Sequence, residues 1–283
     1  MRILWVHAGG VGDFILSCPA LECLAAEHTV EVAGLLERAS LAVAGGLAAR
    51  AHSLDATGFG SLWGTASARL RGFVSGFDRA VVWMRDDDGM IASGLRDCGV
   101  KEATCFPGLP PGNWPRHASE YYLERLGHAR HAPFRLRVPP APGQDVVIHP
   151  GSGSPNKNWP RERFQQLSES LTAQGRRVAW CLGPAEEALA PPEQCPSLRG
   201  LPLVELARVL AGARLYVGND SGITHLAAAA GCPTIAIFGP TDPRVWAPRG
   251  EHVRVLQGPP WPDTEEVLQE SSAVLAAIPF MGA

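Results

Sequence analysis

A carboxylate stands at the end of a glycine-rich turn, Ala8-Gly9-Gly10-Val11-Gly12-Asp13, just after the apolar run Ile3–His7. Glycines let a backbone turn tightly and let a ligand approach it closely, and the acid sits where a strand's C-terminal end meets a cleft. The same Asp13 also reads as an N-cap satisfying the first N–H groups of a helix beginning near residue 13. A second group lies in Pro150-Gly151-Ser152-Gly153-Ser154-Pro155-Asn156-Lys157-Asn158-Trp159-Pro160. Ser152 and Ser154 supply small donors and Lys157 a positive charge, which outlines a diphosphate site; the plain alternative is a surface turn with a solvated lysine. A third is Gly218-Asn219-Asp220-Ser221-Gly222-Ile223-Thr224-His225. Asp220 or Ser221 can cap the helix that follows, its first N–H groups form an anion site, and His225 falls one turn after Ser221 on the same face. A lone histidine in an apolar helix is also a common core residue. The turn Gly239-Pro240-Thr241-Asp242-Pro243 reads as structural, and Asp86-Asp87-Asp88 as a solvated turn rather than a cation site.

These segments need strands and helices to present them. Ile3–His7, Val30–Gly34 and Ala80–Met84 read as strands, and Phe14–Ala26 and Ser119–Leu126 as helices, while Ala39–Gly76 is rich in Gly, Ala and Ser and shows no clean period. After the proline-rich stretch Arg137–Gln144, which favours an extended linker, the pattern restarts. Strands are predicted at Asp145–His149, Val178–Leu182, Leu215–Val217 and Thr234–Phe238, and helices at Glu162–Gln174, Leu203–Ala211, Ser221–Ala230 and Thr264–Ile278. Strands alternating with helices give an α/β chain with parallel sheets covered on both faces. The expected organisation is residues 1–138 as a first domain carrying Asp13, 145–263 as a second, and 264–283 as a C-terminal helix crossing back to the first. The default place for a ligand is then a cleft between two Rossmann-like domains.

Bulk properties narrow the function. A net charge of −3 with a pI near 6.3 argues against capture of nucleic acid, which needs clustered basic surface. The seven cysteines include no C-x-x-C pair and read as reduced cytosolic thiols. No stretch approaches the roughly 20 apolar residues of a membrane span, so any membrane contact is expected to be peripheral. A nicotinamide fold is disfavoured: the turn is not G-x-G-x-x-G, Asp13 would repel phosphates, and Val30–Gly34 is followed by Leu35 and Leu36 rather than a ribose-binding acid.

The stretches RILWVHAGGVGDFILSCPAL, IHPGSGSPNKNWPRERFQQL and YVGNDSGITHLAAAAGCPTIAIFGPTDP, in this order, resemble the heptosyltransferases of glycosyltransferase family 9. The resemblance implies a GT-B fold, two Rossmann-like domains with parallel sheets facing an interdomain cleft, and transfer of a sugar, heptose from ADP-heptose, to a lipopolysaccharide-core or related glycan. By position it makes Asp13 the catalytic base of an inverting reaction. Ser152, Ser154 and Lys157 become holders of the donor diphosphate, and Asp220, Ser221, Gly222 and His225 the helix start that completes the nucleotide site. Glu187 falls where a ribose-contacting acid belongs, and Gly9, Gly10, Gly12, Gly239 and Thr241 shape the turns. It implies no cofactor and no metal, since Lys157 and the helix dipole could serve instead, and work at the cytoplasmic face of a bacterial inner membrane. The competing expectation is a relative that binds nucleotide or glycan without turnover. Donor base and sugar, acceptor and oligomeric state stay open.

Overall fold

The computed structural model describes residues 1–129 and 132–277 and divides the chain into two compact units, Met1–Arg137 and Val138–Ala283. The first unit comprises β1 (Arg2–His7), α1 (Val11–Glu27), β2 (Thr29–Gly34), α2 (Leu36–Ala44), β3 (Arg50–Ser53), α3 (Ala68–Val74), β4 (Arg79–Trp83), α4 (Met90–Asp97), β5 (Glu102–Cys105) and α5 (Ala118–Arg125). Its five strands are parallel, in the order β3-β2-β1-β4-β5. Apolar runs such as Ile3–Val6 are fully buried because helices cover both faces of such a sheet. On one face Leu4, Val6 and Val82 pack with Phe59, Leu70 and Leu95. On the other, α1 packs on α5.

The second unit comprises β6 (Val146–His149), α6 (Arg161–Ala173), β7 (Val178–Leu182), β8 (Ser197–Arg199), α7 (Leu203–Gly212), β9 (Leu215–Asn219), α8 (Gly222–Ala229), β10 (Thr234–Phe238), α9 (Pro243–Trp246), β11 (Val253–Gln257) and α10 (Thr264–Ala277). Its parallel sheet runs β11-β10-β9-β6-β7-β8. Trp159, Phe164 and Trp180 fill the core beneath α6. Helix α10 buries Val267 and Leu275 in that same core and packs on α6, so this segment belongs to the second unit where the sequence suggested a return to the first. Ile278 and the residues after it lie outside the described residues.

Each sheet reverses its winding once, between β1 and β4 in the first unit and between β6 and β9 in the second. At such a switch point the connections leave in opposite directions and open a crevice at the carboxyl ends of the strands. The glycine turn follows β1, the Gly151–Lys157 loop follows β6, and Asp220–Gly222 follows β9. All three chemistry-bearing segments therefore sit at switch points.

Candidate functional site

In the first unit, helix α1 begins at Val11 with Gly10 as its N-cap, not at Asp13 as the sequence suggested. Asp13 is the third helical residue, and its Oδ2 reaches back to accept the Gly10 N–H at 3.0 Å. This is the reach-back half of a capping box. Its Oδ1 makes no hydrogen bond among the described residues. The turn is held by two residues that the sequence reading missed. His7 Nδ1 accepts the Gly9 N–H at 3.2 Å, and Arg38, in the first turn of α2, donates to the Gly9 carbonyl at 2.7 Å. Burial pulls the Arg38 guanidinium below its ordinary pKa, and the negative charge of Asp13 works against that pull.

The His7 ring packs against Phe14 and Tyr122, with centroids 5.5 and 6.3 Å away. Its pKa is pushed down to about 4, first by burial and then by the positive charge of Arg38. It therefore stays neutral near pH 7, with Nδ1 able to accept. A carboxylate is in this way presented at a strand end on a turn fixed from both sides.

In the second unit, Asp220 gathers three loops. Its Oδ2 accepts from Lys157 Nζ at 2.8 Å and from Thr241 Oγ1 at 2.8 Å, and its N–H donates to the Ile237 carbonyl at 3.0 Å. Lys157, Asp220 and Thr241, which the sequence placed in separate motifs, thus meet at one point. The pair is partly shielded: the Lys157 side chain is 34% exposed and that of Asp220 only 7%. A buried carboxylate left without its cation would be strongly destabilising, so the ammonium is held where it lies.

Ser221 caps α8, its Oγ accepting from the Thr224 N–H at 3.3 Å. The N–H groups of Gly222 and Ile223, in the first turn, are among those a helix leaves without an intrahelical partner. His225 is buried within α8, its N–H bonded to the Ser221 carbonyl. Ser152 Oγ lies 2.7 Å from the Ser154 carbonyl and 2.6 Å from Asn158 Oδ1, so this hydroxyl closes the loop on itself.

Asn219 is a third omission. Fully buried, it accepts the Trp159 N–H on Oδ1 at 2.8 Å and donates from Nδ2 to the Pro150 carbonyl at 2.8 Å, fastening both ends of the Lys157 loop to the end of β9. Glu187 is exposed on the turn after β7, whereas the buried Glu186 lies against Gly151 and accepts the Gly183 N–H at 2.9 Å. Of the two adjacent acids, Glu186 is the one against the Gly151–Lys157 loop. A Cβ at Gly151 would overlap the Glu186 carboxylate, which is why the position is glycine. Gly239 is glycine for a similar reason, because the Trp261 indole lies on its Cα.

Asp86 to Asp88 follow β4 in the first unit. Both Asp86 oxygens are occupied by the N–H groups of Ile91 and Ala92, at 2.7 and 2.9 Å, and Asp88 accepts from Met90 N–H. Among the described residues no group of three or more His, Cys, Asp and Glu could hold a metal ion. All seven cysteines are free, and no helix among the described residues is long and apolar enough to cross a membrane.

A family model described as glycosyltransferase family 9 (heptosyltransferase) matches residues 116–273, more than half of the chain. Lipopolysaccharide heptosyltransferase 1 of Escherichia coli (strain K12) is 34% identical over 132 residues, 44% of this chain and 41% of that protein. The enzyme of the same name from Pseudomonas aeruginosa is 38% identical over 104 residues, 35% of this chain and 29% of that protein. The matched segment therefore spans less than half the length of these curated relatives. Among solved structures, a glycosyl transferase family 9 protein from Veillonella parvula superposes with a TM-score of 0.78 at 18% identity, covering 98% of each chain. The E. coli heptosyltransferase WaaC with ADP gives 0.73 at 21% identity, covering 97% of this chain and 100% of that one. At such identities the likeness establishes the fold, which is GT-B.

Proposed function

The chain belongs to glycosyltransferase family 9, and on that basis we propose that it transfers a sugar, heptose from ADP-heptose, to a lipopolysaccharide-core or related glycan with inversion at the anomeric carbon. The observation that carries the reading is the convergence of Lys157, Asp220 and Thr241 beside the start of α8, at the switch point of the second sheet. The leaving group departs as a nucleoside diphosphate, so negative charge grows on its phosphate oxygens. A fixed ammonium and the first-turn N–H groups of Gly222 and Ile223 stabilise that charge without reorganising. Asp220 acts by setting the position of Lys157, Ser152 and Ser154 shape the loop, and His225 backs the helix start. Glu187, exposed on the turn after β7, is the acid for the ribose, and the buried Glu186 beside it supports the loop at Gly151. Positive charge from Lys157 and the helix serves where other transferases use a metal ion.

Asp13 is the base. Its Oδ2 is engaged by Gly10, while Oδ1 is available to take the proton of the attacking hydroxyl. The acceptor is lipid-linked or an oligosaccharide, met at the cytoplasmic face of a membrane.

Differential scanning fluorimetry with ADP, ADP-heptose and a panel of other nucleotide sugars tests the donor. A ligand at about 100 times its Kd stabilises the folded protein by about 2.7 kcal/mol, a shift the assay resolves without added metal. No shift across the panel would end the proposal. Asp13→Ala is expected to keep the shift and lose transfer, because the base contributes to the chemical step and not to donor affinity.

A further inference from the structure

A pocket of about 260 Å³ opens in the first unit, lined by Trp63, Arg85, Asp86, Asp87, Asp88, Met90 and Ile91. Its place follows from the sheet. His7 of β1 pairs with Trp83 of β4, so the Asp13 turn and the Arg85–Asp88 turn leave adjacent strands, in register, on the two sides of the switch point. One wall is apolar and exposed: Trp63 keeps 54% and Met90 41% of its surface in solvent, although neighbouring Phe59 and Leu62 are buried. The indole meets Phe59 edge-on at 6.1 Å, which anchors the ring from behind. The opposite rim is polar and stiff. Asp86 spends both oxygens on the start of α4, which fixes the turn that carries the exposed Arg85 and Asp87.

We propose that this pocket is the subsite for a sugar ring of the acceptor, stacked on Trp63 with its hydroxyls bonded to Asp87 and Arg85. The inference rests on the transferase reading above. A pyranose has an apolar C–H face that suits the electron-rich face of an indole, and a rim of hydroxyls that both donate and accept. A carboxylate and a guanidinium side by side offer the complementary acceptor and donors. A nucleotide base would also stack on an indole, but a diphosphate finds its fixed positive charge at Lys157 and the start of α8 in the second unit. The volume also falls just below the roughly 300–1,000 Å³ of pockets for drug-sized ligands, which suits a single ring. Set beside the Asp13 turn, the ring here would be the acceptor sugar or its immediate neighbour.

The test uses the full chain, with deacylated lipopolysaccharide core oligosaccharide as the acceptor probe and ADP as the donor probe. Both are titrated by calorimetry into wild type, Trp63→Ala, Trp63→Phe and Asp87→Asn, with circular dichroism confirming that each variant folds. Trp63→Ala is expected to weaken oligosaccharide binding about tenfold, Asp87→Asn several-fold and Trp63→Phe little, with ADP affinity unchanged in all. In transfer assays the first two raise the acceptor KM and leave kcat in place. The proposal is overturned if Trp63→Ala binds the oligosaccharide as wild type does, or if wild type binds ADP but not the oligosaccharide. Oligosaccharide binding that depends on Trp63 without any ADP binding would uphold the pocket and sink the donor reading instead.

Discussion

Acid should loosen the Asp13 turn through His7. The imidazole has an ordinary pKa of 6.5 when the chain is unfolded and about 4 when folded. Below about pH 6.5 the unfolded chain takes up a proton that the folded one refuses, so this stabilising contribution is complete above that pH and is lost as pH falls toward 4. A difference of about 2.5 pKa units sets a ceiling near 3 kcal/mol, of which about 2 kcal/mol is already gone at pH 5. The variant His7→Asn removes the titration and keeps an acceptor, since its amide oxygen can stand where Nδ1 takes the Gly9 N–H. Urea unfolding of both proteins at about pH 7.5 and pH 5 reads the effect, and wild type should lose about 2 kcal/mol more than the variant between them. His149 in the second unit is also buried with its pKa lowered, but it is common to both proteins and cancels in the difference. Equal losses in the two proteins would mean that His7 titrates like a solvated imidazole, and its part in holding the turn would have to be given up.

Two further substitutions probe the second unit. Lys157→Ala removes the ammonium and leaves the shielded Asp220 carboxylate without its cation; transfer should fall by about 10²–10³ and ADP binding should weaken, both read from initial rates and calorimetry. Asn219→Ala strands the Trp159 N–H and the Pro150 carbonyl, at about 1–3 kcal/mol for each buried group left unpaired, and the loss is measured by urea unfolding at neutral pH.

How much of this was legible in the sequence depended on burial. The seven interior strands β1, β2, β4, β6, β7, β9 and β10 are apolar runs covered on both faces, and each was readable as such. The four strands that escaped, β3, β5, β8 and β11, are the edges of the two sheets. Arg50–Ser53 and Ser197–Arg199 are short and half-exposed, and a hydrogen-bonded neighbour rather than an apolar run makes them strands. Helix α2 was hidden for a related reason: Leu36 and Val43 point to solvent while Ala39, Leu41 and Ala42 are buried, which blurs the helical period. In the site, motif residues next to strand ends were found, while their partners from elsewhere in the chain were not. Arg38 reaches Gly9 across 29 positions and carries no local signal for doing so. His7 and Asn219 could have been suspected, being polar residues that end buried strands just before a turn. Nothing in the adjacent letters Glu186 and Glu187 tells which one turns inward; the close approach to Gly151 does.

The two units use one design to opposite electrostatic ends. In the first, the chain after the switch-point strand turns into a helix whose own third residue is an acid, and one of its oxygens is spent on the cap. In the second, the acid preceding the helix is neutralised by Lys157, and the helix start keeps its partial positive charge. An acid with one oxygen left unengaged suits taking a proton from a hydroxyl, and a helix start with a fixed ammonium beside it suits receiving a diphosphate. Removing Lys157 leaves the second site with an unpaired acid. The Lys157→Ala variant is therefore expected to lose ADP affinity more than Asp13→Ala does, since only the former changes the sign of the field that the phosphates meet.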